Sequence, residues 1–275
     1  MHQSNWAESA LDYRICRYGS SRMLYRGPKK RLNRDYVAFL GGSETYGRFV
    51  ASPFSEMLDD ELAEICVNLG CNNGGIDAIL QDESLLSICN QAKITVVQVL
   101  GAANLSNRFY TVHPRRNDRF IQASPLMERL FPDLDFMEFN FTMHLLAKAK
   151  SKHPEPYKLL VKSLQETWVL RMRQLVERLN GRVVLLWMEE RDPPDAAMAS
   201  KPLFVTKRMI DLVKSKVIGA VTVCFSEEAK ALGTEGMYFL DHEGEAAGRL
   251  PGPLAHYEVA KALAPVLQHN MHSNA

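Results

Sequence analysis

The sequence predicts a three-layer α/β/α fold built on a mainly parallel, five-stranded sheet. Short apolar runs recur along the chain, and amphipathic stretches with helical spacing separate them. Most of the runs end abruptly in glycine, asparagine or serine. Strands that alternate with helices form right-handed βαβ units, and such units give a parallel sheet with helices on both faces.

Five apolar runs are the predicted strands. The first is YVAFL at 36–40, which leads at once into Gly41, Gly42 and Ser43. The other four are ICVNLG at 65–70, ITVVQVLG at 94–101, RVVLLW at 182–187 and VIGAVTVC at 217–224. ITVVQVLG is the clearest, because a continuous apolar run suits a strand that is buried on both faces of a parallel sheet.

The stretches between the strands have the spacing of amphipathic helices. They lie at 49–64, 76–90, about 142–180, 203–216 and about 255–267. Residues 102–140 are loop-rich and aromatic, and the first 35 residues become basic in RGPKKRLNR, which we interpret as a solvated lead-in. We therefore expect a single domain over 1–275, with a lead-in at 1–35 and an insertion of loops and helices at about 102–180.

Composition excludes several classes of function. The chain has 275 residues and a formal net charge of +1, so no global field favours nucleic acid. No apolar run approaches the length of a membrane span, and the N-terminus lacks the apolar core of a secretory signal. Five scattered cysteines without a CxxC pair predict neither disulfides nor a zinc site, which favours a cytoplasmic protein. Neither GxxxxGK[ST] nor GxGxxG is present, and we expect no metal and no cofactor.

The residues that follow the strands carry the candidate chemistry, because open α/β sheets bind ligands at the carboxyl ends of their strands. Three of these ends are rich in small and amide residues: GGSETYG at 41–47, NLGCNNGG at 68–75 and GAANLSN at 101–107. Acyl transfer needs such residues. A serine at a turn is reachable, backbone N–H groups and an asparagine amide stabilise an oxyanion, and a histidine from elsewhere serves as base.

Two of these segments resemble blocks of the SGNH (GDSL-type) hydrolases. LGGSETYG is similar to the first block, GDSxT, which implies that Ser43 is the nucleophile, although Gly42 stands where the family has aspartate. VNLGCNNGGID is similar to the second block and implies that Gly74, or else Gly70, supplies an oxyanion-hole N–H.

The third and fifth blocks of the same family are also matched in order. VLGAANLSN resembles the third block, which implies Asn104, or else Asn107, as the oxyanion-hole amide. His256 followed by YEVAKALAPVL resembles the fifth, whose catalytic histidine opens the last helix. Pro253 stands where the family has its acid. Either Asp241 or Glu243 would therefore have to support the histidine, or catalysis would depend on serine and histidine alone.

The resemblance implies a flavodoxin-like strand order and a serine esterase or acyltransferase that acts on a small ester, such as an O-acetyl group on a glycan. The peptide HPRRNDRF at 113–120 lies outside the matched blocks. Its Arg115, Arg116 and Arg119 suit an anion clamp, since guanidinium groups grip carboxylate, sulfate or phosphate, but a salt-bridged structural loop is an equal alternative.

Two other functions therefore remain open. One is a non-catalytic protein of this fold that binds an anionic ligand or glycan through the arginines. The other is a transferase of a sulfated or phosphorylated group. In each case the expected partner is a small molecule, not nucleic acid or a membrane.

Overall fold

The computed structural model describes residues 11–180, 182–196 and 202–272. Its strands are β1 (Tyr36–Gly41), β2 (Ile65–Gly70), β3 (Ile94–Gln98), β4 (Tyr110–Val112), β5 (Phe120–Ala123), β6 (Val183–Glu189) and β7 (Gly219–Cys224). The central sheet has the order β2-β1-β3-β6-β7, and every neighbouring pair in it is parallel. Counted along the chain, this order is 2-1-3-4-5, the flavodoxin-like arrangement. The predicted fold class is confirmed.

Helices cover both faces of this sheet. They are α1 (Ser43–Tyr46), α2 (Phe54–Leu62), α3 (Ile76–Leu80), α4 (Glu83–Gln91), α5 (Pro125–Leu130), α6 (Thr142–Lys152), α7 (Pro154–Arg178), α8 (Lys207–Lys214), α9 (Glu227–Leu232), α10 (Gly244–Ala247) and α11 (Pro253–His272), with 3-10 turns at Phe136–Glu138 and Asp241–Glu243. Within the described residues, none of the helices has the combination of length and apolar character needed to cross a membrane.

Side chains of each central strand alternate between two apolar cores, as the pleat of a strand requires. In β1, Val37 and Phe39 pack into the core beneath α2, α9 and α11. Tyr36, Ala38 and Leu40 pack into the opposite core, which α3, α4, α7 and α8 cover. The three-layer arrangement follows from this alternation.

Two predicted helical stretches are each divided in the structure. The stretch at 76–90 forms α3 and α4, because the Asp82 side chain accepts a hydrogen bond from Leu85 N (2.9 Å) and so starts a new helix. The stretch at 142–180 forms α6 and α7, which meet at Pro154. Proline has no N–H to donate and clashes with the preceding turn, so it is favoured at the start of a helix, where that N–H would have no partner within the helix.

Part of the region predicted to be loop-rich is a small antiparallel ribbon, in which β4 pairs with β5. Tyr110 and Val112 of β4 are buried. The two strands have three and four residues, which is too short for an alternating pattern to stand out in the sequence.

The prediction that residues 1–35 are a solvated lead-in is wrong for Arg26, which is only 7% exposed. The guanidinium of Arg26 donates hydrogen bonds to three main-chain carbonyls of the 47–51 segment and to Glu56 Oε1. This arginine therefore ties the N-terminal segment to the loop that follows α1. Residues 1–10 of the predicted lead-in lie outside the described residues.

Candidate ligand site at the carboxyl edge of the sheet

The turn that carries Ser43 is held by Gln98, a buried side chain in the neighbouring strand β3. Gln98 Oε1 accepts hydrogen bonds from Gly42 N (2.9 Å) and from Thr45 Oγ1 (2.6 Å). Its Nε2 donates to Glu44 Oε2 at 3.2 Å. Gln98 thus fixes the turn from the residue before Ser43 to the residues after it. Sequence reasoning missed this role, for which the only signal was one amide side chain inside an apolar strand.

Helix α1 lies directly on the ends of β1 and β2, at a separation that only glycine permits. A Cβ atom on Gly41 would lie 2.0 Å from Thr45 Oγ1, and one on Gly70 would lie 2.3 Å from the backbone nitrogen of Tyr46. A larger residue at either position would displace α1, and Ser43 with it.

Ser43 is the first residue of α1 and is partly exposed. Its Oγ accepts a long hydrogen bond from Asn73 N, at 3.4 Å. Asn73 has a φ of 58°, in the left-handed region that asparagine tolerates better than most residues. The structure therefore brings the ends of β1 and β2 together at the Ser43 hydroxyl, as the sequence pattern predicts, but through a residue that was not predicted.

The two glycines expected to supply an oxyanion N–H use those groups elsewhere. Gly74 N donates to Cys71 O at 3.1 Å, and Gly70 N donates to Asn68 Oδ1 at 3.0 Å. The N–H group that meets the Ser43 hydroxyl belongs to Asn73 instead.

Asn104 and Asn107, the alternatives at the end of β3, differ in what their amides do. Asn104 Oδ1 accepts from Thr142 Oγ1 at 2.6 Å, and no hydrogen bond within the described residues uses its Nδ2. Asn107 bonds through both ends of its amide, to Leu105 O and Phe109 N at 2.8 Å each. Asn107 is thus a turn residue, whereas the Asn104 NH₂ group keeps its donor capacity.

His256 lies in the first turn of α11 and is 1% exposed. Its Nδ1 accepts a hydrogen bond from Phe54 N at 3.2 Å, and its ring stacks on the Phe54 ring at 5.7 Å between centroids. A backbone N–H can only donate, so Nδ1 carries no proton and the neutral ring is protonated on Nε2. That Nε2 is buried and has no hydrogen-bond partner among the described residues.

Burial, together with the positive charge of Arg26, lowers the pKa of His256 to about 3. A histidine that activates a serine hydroxyl needs an unprotonated nitrogen directed at that hydroxyl and a pKa near the working pH. In this structure, His256 meets neither condition and makes no hydrogen bond to Ser43.

Neither acid expected to support the histidine reaches it in the structure. Asp241 is exposed at the start of a 3-10 turn. Glu243 accepts hydrogen bonds from Arg48 Nη2 (2.8 Å) and from Leu240 N (3.2 Å), and these lower its pKa against the opposing effect of burial. Since His256 Nδ1 is occupied by Phe54 N, it has no proton to offer a carboxylate.

The arginine loop at 113–119 is docked onto the end of β2 by Asn117, which is fully buried. Asn117 Oδ1 accepts from Ala78 N (3.1 Å), its Nδ2 donates to His113 O (2.9 Å), and its backbone N donates to Asn73 O (3.1 Å). Asn73 therefore contacts both Ser43 and the arginine loop.

A cavity of about 700 Å³ lies between this loop and the N-terminal segment. Its basic wall consists of His113, Arg115, Arg116, Arg119 and Arg22. Its other lining residues are Tyr46, Cys71, Asn72, Asn73, Ile15, Met23 and Leu24. Among the residues that the structure describes, no carboxylate lines this cavity.

The guanidinium groups of this cavity make no ion pair among the described residues. Among the hydrogen bonds and ion pairs of the described residues, none involves the side chains of Arg22, Arg115, Arg116 or Arg119; Arg119 instead lies over the Phe141 ring at 4.9 Å. The acid of the loop is Asp118, which does not line the cavity. Burial raises the pKa of Asp118, and the nearby charges of Arg119 and Arg116 oppose this rise. No ion pair among the described residues supports the alternative of a salt-bridged structural loop, and Asp118 is the acid on which Arg116 and Arg119 act electrostatically.

A family model matches residues 1–271 and describes a domain of unknown function, DUF6473. The chain belongs to this family. No curated protein matches its sequence.

Several solved structures are similar to this DUF6473 chain at low identity. A lipase from a goat rumen metagenome shares 10% identity at a TM-score of 0.43, covering 84% of this chain and 97% of that one. A catalytic mutant of an acetylxylan esterase from Geobacillus stearothermophilus shares 14% at 0.42, covering 86% and 94%. Phospholipase A1 from Streptomyces albidoflavus NA297 shares 10% at 0.38, covering 86% and 99%. Likenesses this distant carry no information about chemistry, so function has to follow from the site itself.

The DUF6473 chain has a second cavity at the ends of β6 and β7, with a volume of about 420 Å³. Its wall mixes both signs of charge, with Glu44, Glu190 and Asp192 beside Arg191 and Lys230. Opposite charges in one wall offset each other's field, so this cavity has no clear preference for a charged ligand. The arginine cavity, in contrast, has one sign of charge.

Proposed function

We propose that this protein binds a small organic anion in the arginine cavity at the carboxyl edge of the sheet. The observation that supports this proposal most directly is the set of four guanidinium groups around one concave space, with neither a carboxylate in its wall nor an ion pair among the described residues. Guanidinium groups bind carboxylate, sulfate or phosphate through paired, charge-assisted hydrogen bonds. A concave surface with several of them and no acid attracts an anion.

The main chain of the loop is held in place before any ligand arrives. Asn117 fixes its end, and His113 Nδ1 accepts hydrogen bonds from Arg115 N (3.2 Å) and Arg116 N (3.1 Å). A preformed backbone reduces the ordering cost of binding, so more of the interaction energy appears as affinity.

The test is calorimetric titration with methyl phosphate and methyl sulfate at low and at moderate salt. The double variant Arg115→Gln/Arg116→Gln should weaken binding at least about tenfold, since a hydrogen bond to a charged group contributes about 1.5–3 kcal/mol. Arg31→Gln is the matched control, because Arg31 is an exposed arginine outside the cavity wall. Equal affinity in the double variant and the control would contradict the proposal.

Ester turnover at Ser43 is the second candidate function. It is favoured by the Asn73 N–H group at the Ser43 hydroxyl and by the donor capacity of Asn104. Ser43 would attack the acyl carbon while these groups stabilise the oxyanion. His256 would take the serine proton only after giving up its bond to Phe54 N, and without support from Asp241.

The two candidates differ in how Ser43 should react with a serine-directed fluorophosphonate. We expect no adduct by intact mass on the wild-type protein, because the Nε2 proton and the low pKa of His256 leave the Ser43 hydroxyl without a base. Ser43→Ala removes the candidate nucleophile, and Ser87→Ala, at an exposed serine in α4, is the matched control. A single adduct on wild type and Ser87→Ala that is absent from Ser43→Ala would establish the second candidate instead.

A further inference from the structure

The arginine cavity has an apolar wall as well as a basic one. Ile15 and Leu24 line it and are 59% and 48% exposed, which is high for large aliphatic side chains. An antiparallel bridge between Cys16 and Tyr25, with two hydrogen bonds of 3.0 Å, makes Ile15 and Leu24 diagonal neighbours on one side of the N-terminal segment. Exposed aliphatic side chains inside a cavity are typical of a ligand surface.

The volume of the cavity is much larger than an inorganic anion requires. At about 700 Å³ it falls within the range of sites for drug-sized organic molecules, about 300–1,000 Å³. A phosphate or sulfate group held by the arginines would occupy only a part of this space. The remainder borders Ile15, Met23 and Leu24.

We infer that the ligand is an amphiphilic anion, in which a phosphate, sulfate or carboxylate group binds the arginines and an alkyl or acyl group packs against Ile15 and Leu24. This inference rests on the proposed anion binding and extends it by the class of ligand. Transfer of the apolar group out of water then adds affinity that a bare anion cannot gain, up to about fourfold for each buried methylene.

The experiment compares methyl phosphate, hexyl phosphate and hexanol by calorimetric titration. Wild type should bind hexyl phosphate at least about tenfold more tightly than methyl phosphate, which corresponds to partial burial of its five additional methylenes. Hexanol should bind far more weakly, because it leaves the guanidinium groups without an anion. In Ile15→Ser/Leu24→Ser, the advantage of hexyl over methyl phosphate should disappear, because the alkyl chain of hexyl phosphate loses the side chains against which it packs.

The matched control is Leu159→Ser/Leu170→Ser, two aliphatic residues of α7 that are 52% and 53% exposed and do not line the cavity. This variant should keep the full advantage of hexyl phosphate. The inference is overturned if hexyl phosphate binds wild type no more tightly than methyl phosphate, or if its advantage survives in Ile15→Ser/Leu24→Ser. If no phosphate binds wild type at all, the proposed function fails as well, so the two failures are distinguishable.

A vesicle assay separates the two sources of such a ligand. The protein is sedimented with phosphatidylcholine vesicles that contain phosphatidic acid, in wild type and in Arg116→Gln. Hexyl phosphate binding without co-sedimentation supports a free amphiphile, which is the result we expect because Ile15 and Leu24 line the same cavity as the arginines and can hold the alkyl group there. Co-sedimentation that Arg116→Gln abolishes supports an amphiphile presented by a lipid surface.

Discussion

Replacing Arg26 with alanine should lower the free energy of unfolding by about 3 kcal/mol, since each buried acceptor that is left without a donor costs about 1–3 kcal/mol. Only 6% of the Arg26 side chain is exposed, and it donates to Gly47 O, Val50 O and Glu56 Oε1 at 2.9, 2.9 and 3.0 Å. Removing it leaves the buried Gly47 and Val50 carbonyls without their donor, whereas Glu56 and the Ala51 carbonyl are near enough to solvent to bind water.

Urea unfolding followed by circular dichroism measures this effect. Arg31→Ala, five residues along the same segment but exposed, should change the free energy of unfolding by less than about 0.5 kcal/mol. The same 47–51 carbonyls follow α1, so Arg26→Ala should also loosen the turn that holds Ser43. A loss below about 1 kcal/mol in Arg26→Ala would show that water replaces the guanidinium at little cost.

Arg26 also illustrates why the sequence predicted the sheet better than the N-terminal segment. The five apolar runs needed no information from elsewhere, because a strand buried on both faces is apolar by itself. The burial of Arg26 depends on carbonyl acceptors in the 47–51 segment, more than twenty residues further on. No local pattern distinguishes such an arginine from its exposed neighbours in RGPKKRLNR.

At the site, residue types and their order along the chain predicted which segments meet, but they did not predict which atoms form hydrogen bonds. The strand-end pattern predicts that Ser43 meets the end of β2, and the contact exists through Asn73. The composition of the 113–119 loop is equally compatible with an anion clamp and with a salt-bridged loop, and in the structure its arginines line a cavity. The state of His256, however, depends on Phe54 N, a backbone group some two hundred positions earlier in the chain. A motif can place a histidine on a helix, but it cannot specify which nitrogen is protonated.

The buried state of His256 predicts a strong dependence of stability on pH. Its pKa is lowered from 6.5 to about 3 in the folded protein, first by burial and then by the charge of Arg26. Between these two values the unfolded chain binds a proton that the folded chain does not bind. The stability that neutral His256 gives is therefore complete above pH 6.5 and falls as the pH decreases, by about 1.4 kcal/mol per pH unit.

The variant that isolates this effect is His256→Asn, because an asparagine side chain can still accept the hydrogen bond from Phe54 N but does not titrate. The experiment is urea unfolding at pH 7.5, 6.0 and 5.0. Between the highest and the lowest pH, the free energy of unfolding should fall by about 2 kcal/mol more in wild type than in His256→Asn. His242→Asn, at an exposed histidine, should follow wild type. If the free energy of unfolding depends on pH in the same way in wild type and in His256→Asn, His256 exchanges protons with solvent in the folded state. The ring would then be accessible enough to serve as a base, and this result would favour ester turnover at Ser43 over the proposed anion binding.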